Sequence, residues 1–292
     1  MLEKNRPFYL TLSIVLLSLL FPLYLFGKEK KGEIGSLKGL IDRYDSSRCR
    51  ECHGEIYAQW EKSHHARPLM GMDDWIFMSK YLKEGVLSVK SPQEATMANF
   101  PCAKCHLPQL FRATDSVAAE LATAVLRVDK KTISRLNISC LVCHQDKAVV
   151  HGQPKKSTLY GNRDIKDHEG LPVEKSPLLK DPLFCGQCHG LGPNLEFEHP
   201  VQCATLYGSY LHAYLPNGGS RTCQDCHMPG KDHTTPPNFN DRTDTAARFR
   251  EALPLEVETL GYVFQFDEGK RVPLAVVRTR ITNKAGHRIP DG

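Results

Sequence analysis

Cys49-Arg-Glu-Cys52-His53 is the stretch that decides how this chain is read. Two cysteines separated by two residues and followed at once by histidine are the attachment signature of c-type haem. The pattern returns at Cys102-Ala-Lys-Cys105-His106, Cys140-Leu-Val-Cys143-His144, Cys185-Gly-Gln-Cys188-His189 and Cys223-Gln-Asp-Cys226-His227. These five stretches use all of the 11 cysteines except Cys203, which is read as a buried thiol. The spacing has a physical reason. Two intervening residues set both sulfurs along one porphyrin edge, and the next residue turns under the iron as its proximal ligand. Zinc knuckles come as pairs of Cys-x-x-Cys units and need no histidine after each. Disulfides, the other habit of an exported chain, leave the histidines unexplained. The expectation is five covalently bound haem c groups, each with an iron held by His53, His106, His144, His189 or His227.

The rest of the composition agrees with a folded chain. Of 292 residues, 41% are hydrophobic and 24% charged, which excludes disorder over most of the length. The net charge of +5 is diffuse, with no block of five basic residues, so a nucleic-acid arm is not expected. Two ionised propionates leave a ferric haem at about −1, so five of them offset the chain's charge almost fully. Large flat apolar groups would fill the interior. A mainly α, loop-rich fold with a haem-filled core follows.

Phe8 to Phe26 is an uncharged apolar run, long enough to cross a bilayer core. Residues 1–27 are therefore expected to be an N-terminal transmembrane helix, with a cleaved signal peptide as the rival reading. Residues 28–48 read as a polar, glycine-bearing linker. A pentahaem domain is expected over 49–240. Within it, helices are expected from Asp73 to about Gly85, from Asp115 through Val117, Leu121 and Val125, and from Ala204 to Leu215. Segments 162–182 and 193–200 read as loops. From 253 to 292 the pattern turns strand-like, at Leu255–Thr259, Val263–Phe266 and Pro273–Thr282. This reads as the start of a β-domain that is truncated at Gly292.

Each haem has a second axial position. Eight histidines remain for it: His64, His65, His151, His168, His199, His212, His233 and His287. Imidazole is a common iron ligand; Met70, Met72 and Met97 are the thioether alternatives. His151 and His233 lie eight residues beyond Cys143 and seven beyond Cys226, within reach of neighbouring haems. His168, in a polar loop, ranks last.

Several motifs carry a resemblance. Cys49-x-x-Cys-His53 followed by Trp60-x-x-Ser63-x-His65-Ala66 resembles the first haem segment of cytochrome c-554-like multihaem cytochromes. Phe100-Pro-Cys-Ala-Lys-Cys-His106, Ile138-Ser-Cys-Leu-Val-Cys-His-Gln145 and Thr222-Cys-Gln-Asp-Cys-His-Met-Pro229 are similar to haem segments of the wider group. Asn283-x-Ala-Gly-His287-x-x-Pro290-x-Gly292 is similar to a motif that opens a β-domain in many members. The resemblance implies bis-histidine haems packed in a chain that passes electrons. It makes His65 and His287 the leading distal candidates, beside His151, His233 and His212, with His64 and His199 behind them.

Two functions are weighed. The first is a membrane-anchored electron carrier with its haem domain on the exported (periplasmic or extracellular) side of the cytoplasmic membrane. Its partners would be other redox proteins: a quinol-oxidising membrane protein or cytochromes on one side, a terminal reductase on the other. The second is an oxidoreductase with one open haem acting on a small nitrogen or sulfur compound, which also needs proton donors near the iron. All five motifs end in histidine, and the spare histidines suffice to close every site, so the first is preferred.

Overall fold

The computed structural model describes residues 33–70, 91–99, 103–149, 154–190, 205–237 and 241–289. They belong to one compact unit, Glu33–Gly292. In chain order the α-helices are α1 Leu37–Arg43, α2 Cys49–Cys52, α3 Gly54–Glu61, α4 Ala103–His106, α5 Asp115–Leu126, α6 Lys130–Ile133, α7 Pro182–Gly186, α8 Leu206–Ser209, α9 Cys223–His227 and α10 Arg242–Ala252. Most are one or two turns, too short to persist alone, so packing and capping hold them. Strands β1 Leu159–Gly161, β2 Asp167–His168 and β3 Leu171–Lys175 form one sheet in the order β1-β3-β2. Strands β4 Leu255–Asp267 and β5 Lys270–Ile281 form a separate hairpin.

The side-chain core gathers around α5. Its Val117, Leu121 and Val125 are fully buried, and they lie on one face at four-residue intervals. Against them packs α1 with Leu37, Leu40 and Ile41, joined by Leu107, Leu110, Ile133 and Leu136. The Ser36 side chain caps α1 by accepting from the Gly39 N–H at 3.1 Å. Glu120 on α5 accepts from the Leu37 N–H at 2.8 Å, which fixes α1 against α5. Leu121→Ala should cost about 3 kcal/mol, from lost transfer energy and the cavity left behind; denaturant unfolding followed by circular dichroism measures it.

The sequence expectations meet this fold unevenly. The helix expected from Asp115 is present. That expected over Ala204–Leu215 is broken into α8, a π-helical turn Tyr210–Tyr214 and a 3₁₀ turn Leu215–Asn217, and it stops at Gly218 in the left-handed region (φ 86°). Ala204 itself, and the helix expected near Asp73–Gly85, lie outside the described residues. So does segment 193–200. The 162–182 segment is not all loop, since β2 and β3 lie in it. In the stretch read as a polar linker, the Leu37–Leu40–Ile41–Tyr44 stripe is part of the core.

The expected transmembrane helix is not supported. Among the described residues no helix is long and apolar enough to cross a membrane. The longest, α5, has 12 residues, against about 20 needed. Residues 1–27, on which the anchor was placed, lie outside the described residues. The mainly α description also needs correcting, because two sheets are present.

The C-terminal strands expected separately are one long hairpin. Pairing runs from Leu255↔Ile281 to Asp267↔Lys270, and the turn uses Glu268 (φ 48°) and Gly269 (φ 78°). Two positive φ values in a two-residue loop are the type I′ geometry that suits strand twist. The register shifts between Thr259 and Gly261. That single extra residue, Leu260, keeps Leu255 and Val257 on the same face as Tyr262, Phe264 and Phe266, although the alternation changes from odd to even numbers. The opposite face carries the ion pairs Glu256–Arg280 and Glu258–Arg278.

Candidate metal centres

Among the described residues, the cysteine–histidine motifs lie on short helical turns. The His53 N–H donates to the Cys49 carbonyl at 2.9 Å, and the His189 N–H donates to the Cys185 carbonyl at 2.9 Å. One helical turn thus places the first cysteine, the second and the histidine on a single face. Local chemistry holds these turns. Asp181 caps α7 by accepting from the Leu183 N–H at 2.8 Å. Thr222 and Asp225 close a reciprocal capping box around α9, at 2.8 and 3.1 Å. The third motif runs into a π-helical turn, Val142–Asp146. That turn is tied to the core by Asp146, whose side chain is 1% exposed. Arg112 donates to Asp146 from Nε and Nη2 at 3.1 and 2.8 Å, and the Tyr44 hydroxyl donates to its other oxygen. Burial, first, and the carboxylate beside it push the Tyr44 phenol far up.

Four of the proximal histidines face a second imidazole from a distant part of the chain. His53 faces His168 with ring centroids 5.5 Å apart, and His189 faces His65 at 6.3 Å. His144 faces His233 at 6.5 Å, and His227 faces His287 at 6.1 Å. Two metal–nitrogen bonds of about 2 Å and two ring radii put the centroids of trans imidazoles about 6 Å apart. The interplanar angles run from 20° to 67°, and two imidazoles bound to one metal could take any of them. The residues present therefore fit a haem iron between each pair.

Hydrogen bonds at the other ring nitrogen select the tautomer. Nδ1 of His106 lies 2.7 Å from the Pro68 carbonyl, and Nδ1 of His144 lies 2.9 Å from that of Tyr160. His227 makes the same contact to Pro236, His233 to Lys231 and His287 to Arg288. A proton held at Nδ1 leaves the Nε2 lone pair for a metal, and the carbonyl strengthens that lone pair. Burial keeps His144 and His227 below the usual imidazole range and takes His65 down to about 4, so all three are neutral near pH 7.

The thiols also come together across motifs. Cys49 donates to Cys140, which pulls Cys140 down to about 6 and pushes Cys49 up. Cys185 donates to Cys223 with the same two effects, and Cys188 is lowered by its bond with Cys105. Burial takes Cys143 up to about 12. The attachment edges of motifs one and three, four and five, and two and four are thus neighbours.

Three tyrosines line the fourth and fifth motifs. The rings of Tyr207, Tyr210 and Tyr214 stack in sequence at 6.3 and 5.6 Å. Gly186, between the cysteines of the fourth motif, lies so close to Tyr207 that a Cβ there would meet the ring at 2.6 Å. Gly186→Ala should therefore displace Tyr207 and cost about 1–3 kcal/mol. Thermal unfolding of the haem-loaded protein, with haem absorbance per chain, measures both consequences.

Sequence reasoning and structure meet as follows. His65, His233 and His287 each stand opposite a proximal histidine. His212 is exposed in the π-helical turn Tyr210–Tyr214 and faces no proximal histidine among the described residues. His64 is exposed beside His65. Met70 and Met97 pack against the hydrophobic core. His151, His199, Met72, Cys102 and Cys203 lie outside the described residues. His168, ranked last, stands opposite His53. Its one sequence signal was the Asp167-His168-Glu169-Gly170 turn ahead of a Pro172–Val173 strand, which reads as solvent loop in a polar context.

Residues 48–145 match the family model described as cytochrome c554 and c-prime. No curated protein and no solved structure matches the chain.

Proposed function

We propose that this chain, a c-type cytochrome by its residues 48–145, relays electrons through five covalently bound haem c groups whose irons are closed on both axial sides. Electron transfer and covalent haem belong to the family; the count and the ligation are our reading. The observation that carries the reading is the set of four facing histidine pairs, His53–His168, His189–His65, His144–His233 and His227–His287. Bound haem supplies a one-electron iron couple. The chain's residues do the rest. The cysteines fix each macrocycle at one edge, and the paired imidazoles hold the iron's coordination nearly unchanged between oxidation states. The Nδ1–carbonyl contacts set how strongly each imidazole donates.

The thiol neighbours support a connected path. Motif one adjoins three through Cys49 and Cys140. Motif four adjoins two through Cys188 and Cys105, and five through Cys185 and Cys223. Cys143 of the third motif is close enough to Cys185 and Cys188 of the fourth to interact with both thiols. An electron arriving at any haem would find the next one at an adjoining edge. The partners proposed are other redox proteins, a quinol oxidoreductase or cytochrome and a terminal reductase, on the exported side where c-type attachment takes place.

The test is the intact mass of the denatured, exported full chain, together with its reductive titration. Five haem masses above the polypeptide and one electron taken up per haem are expected. A chain saturated with fewer haems would overturn the count. Electrons confined to some of the haems would overturn the relay.

A further inference from the structure

We infer that the first motif's haem has an exchangeable sixth ligand: His168 can leave the iron and admit a small neutral diatomic ligand, while the other paired sites stay closed. The inference rests on the bis-histidine reading above and goes beyond it by adding a ligand-binding activity at one site.

The argument compares how the distal histidines are anchored. His233 is held twice, by its N–H on Gln59 Oε1 at 3.1 Å and by Nδ1 on the Lys231 carbonyl at 2.7 Å. His287 has Nδ1 on the Arg288 carbonyl at 2.8 Å, and its own carbonyl accepts from Asn283 at 3.0 Å. The adjoining Arg288 N–H donates to Ser209 at 3.2 Å, far away in sequence. His65 lies between buried Ser63 and Ala66, and its carbonyl accepts from the Ile138 N–H at 2.9 Å. For each of these, leaving an iron means breaking contacts with other parts of the chain.

His168 is anchored only locally. It sits on β2, a strand of two residues, paired with Leu171 of β3 across a tight turn. The turn residues Glu169 and Gly170 have φ of 54° and 76° and are exposed. Its bonds are local: Gly170 N–H to Asp167 at 3.1 Å and Val173 N–H to the Lys166 carbonyl at 2.9 Å. Among the described residues, nothing in 166–171 hydrogen-bonds beyond this hairpin and its β3 partner. The ring at the tip faces that of His53 with centroids 5.5 Å apart. Among the described residues neither His53 nor His168 places Nδ1 on a backbone carbonyl, whereas both rings of the His144 and His227 pairs do. Loss of such an outer contact weakens metal binding about 10- to 100-fold. A glutamate held at positive φ adds local strain to the same turn.

The exchange is a ligand substitution. With haem bound, His168 would withdraw its Nε2 donor and carbon monoxide would take the position it leaves, with one bond lost for one gained and no electron or proton moved. A weakly anchored ligand populates the open state more, and the apparent affinity for the incoming molecule rises with that population.

The experiment uses the full haem-loaded chain, reduced with dithionite and exposed to carbon monoxide alone. Wild type should take up one equivalent per chain, at a rate that becomes independent of carbon monoxide concentration because His168 departure limits it. His168→Ala should take up the same single equivalent at least tenfold faster, and its oxidised form should show one high-spin iron. Glu169→Asn, which suits the left-handed turn position, should slow wild-type uptake several-fold. Wild type that takes up nothing over hours while His168→Ala does would overturn the inference and leave the ligation standing. A second equivalent appearing in His168→Ala would also overturn it, by placing the wild-type site elsewhere. An oxidised wild type that already shows a high-spin iron, unchanged in His168→Ala, would instead overturn the bis-histidine reading of that site.

Discussion

Replacing His233 with alanine should convert one iron from low to high spin and leave the remaining irons as they were, if the proposed pairing holds in the haem-loaded chain. His233 faces His144 at 6.5 Å with nearly parallel rings. It is held by Gln59 and by the Lys231 carbonyl, which fix its backbone and ring toward His144. The consequence should be large in two observables. One haem equivalent acquires a high-spin signal in the oxidised state, and its potential separates from the others, because axial ligation spans most of the range open to c-type haem. Haem content should stay unchanged, since Cys140 and Cys143 would still attach the macrocycle. A variant that keeps every iron low-spin would remove His233 from the ligand set.

The second large effect is on stability. Arg112→Met should destabilise the haem-loaded protein by about 3–5 kcal/mol, because it leaves the Asp146 carboxylate buried with its cation gone. Asp146 is 1% exposed, and Arg112 reaches it with two donors. The carboxylate lies two residues past His144, in the turn that joins the third motif to the α1–α5 core. Loss of the pair should therefore loosen that haem's seat as well as lower the unfolding temperature. Thermal unfolding followed at the haem band and by far-ultraviolet circular dichroism separates the two. Coincident transitions displaced downwards together are expected. An unchanged midpoint would mean that Tyr44 alone satisfies Asp146.

The cysteine motifs were legible because their information is local: three side chains on one helical turn. Helix α5 was legible for the same reason, from Val117, Leu121 and Val125 at one spacing. The histidines that face a cysteine-motif imidazole were legible where a sequence motif surrounds them, as at His65 and His287, and where only spacing pointed, as at His233. His168 was not, because what places it opposite His53 is the β1-β3-β2 sheet. That sheet is built from pairings of two and three residues whose polar sequence resembles a loop. The α1 stripe was hidden by glycines and charges on its solvent face. In the C-terminal hairpin, the bulge at Leu260 shifts the alternation from odd to even, so one continuous strand reads as two. The transmembrane reading rested on the length of an uncharged apolar run, and no described helix supports it.

The account stands on imidazole pairs closing the irons. Its most direct test is the low-temperature electron paramagnetic resonance spectrum of the oxidised full chain, with spins counted against total haem and near-infrared magnetic circular dichroism recorded on the same sample. The account predicts that all the iron is low-spin and that the charge-transfer bands are those of two imidazoles. A high-spin iron at one or more haems, or bands of histidine–methionine ligation, would contradict it.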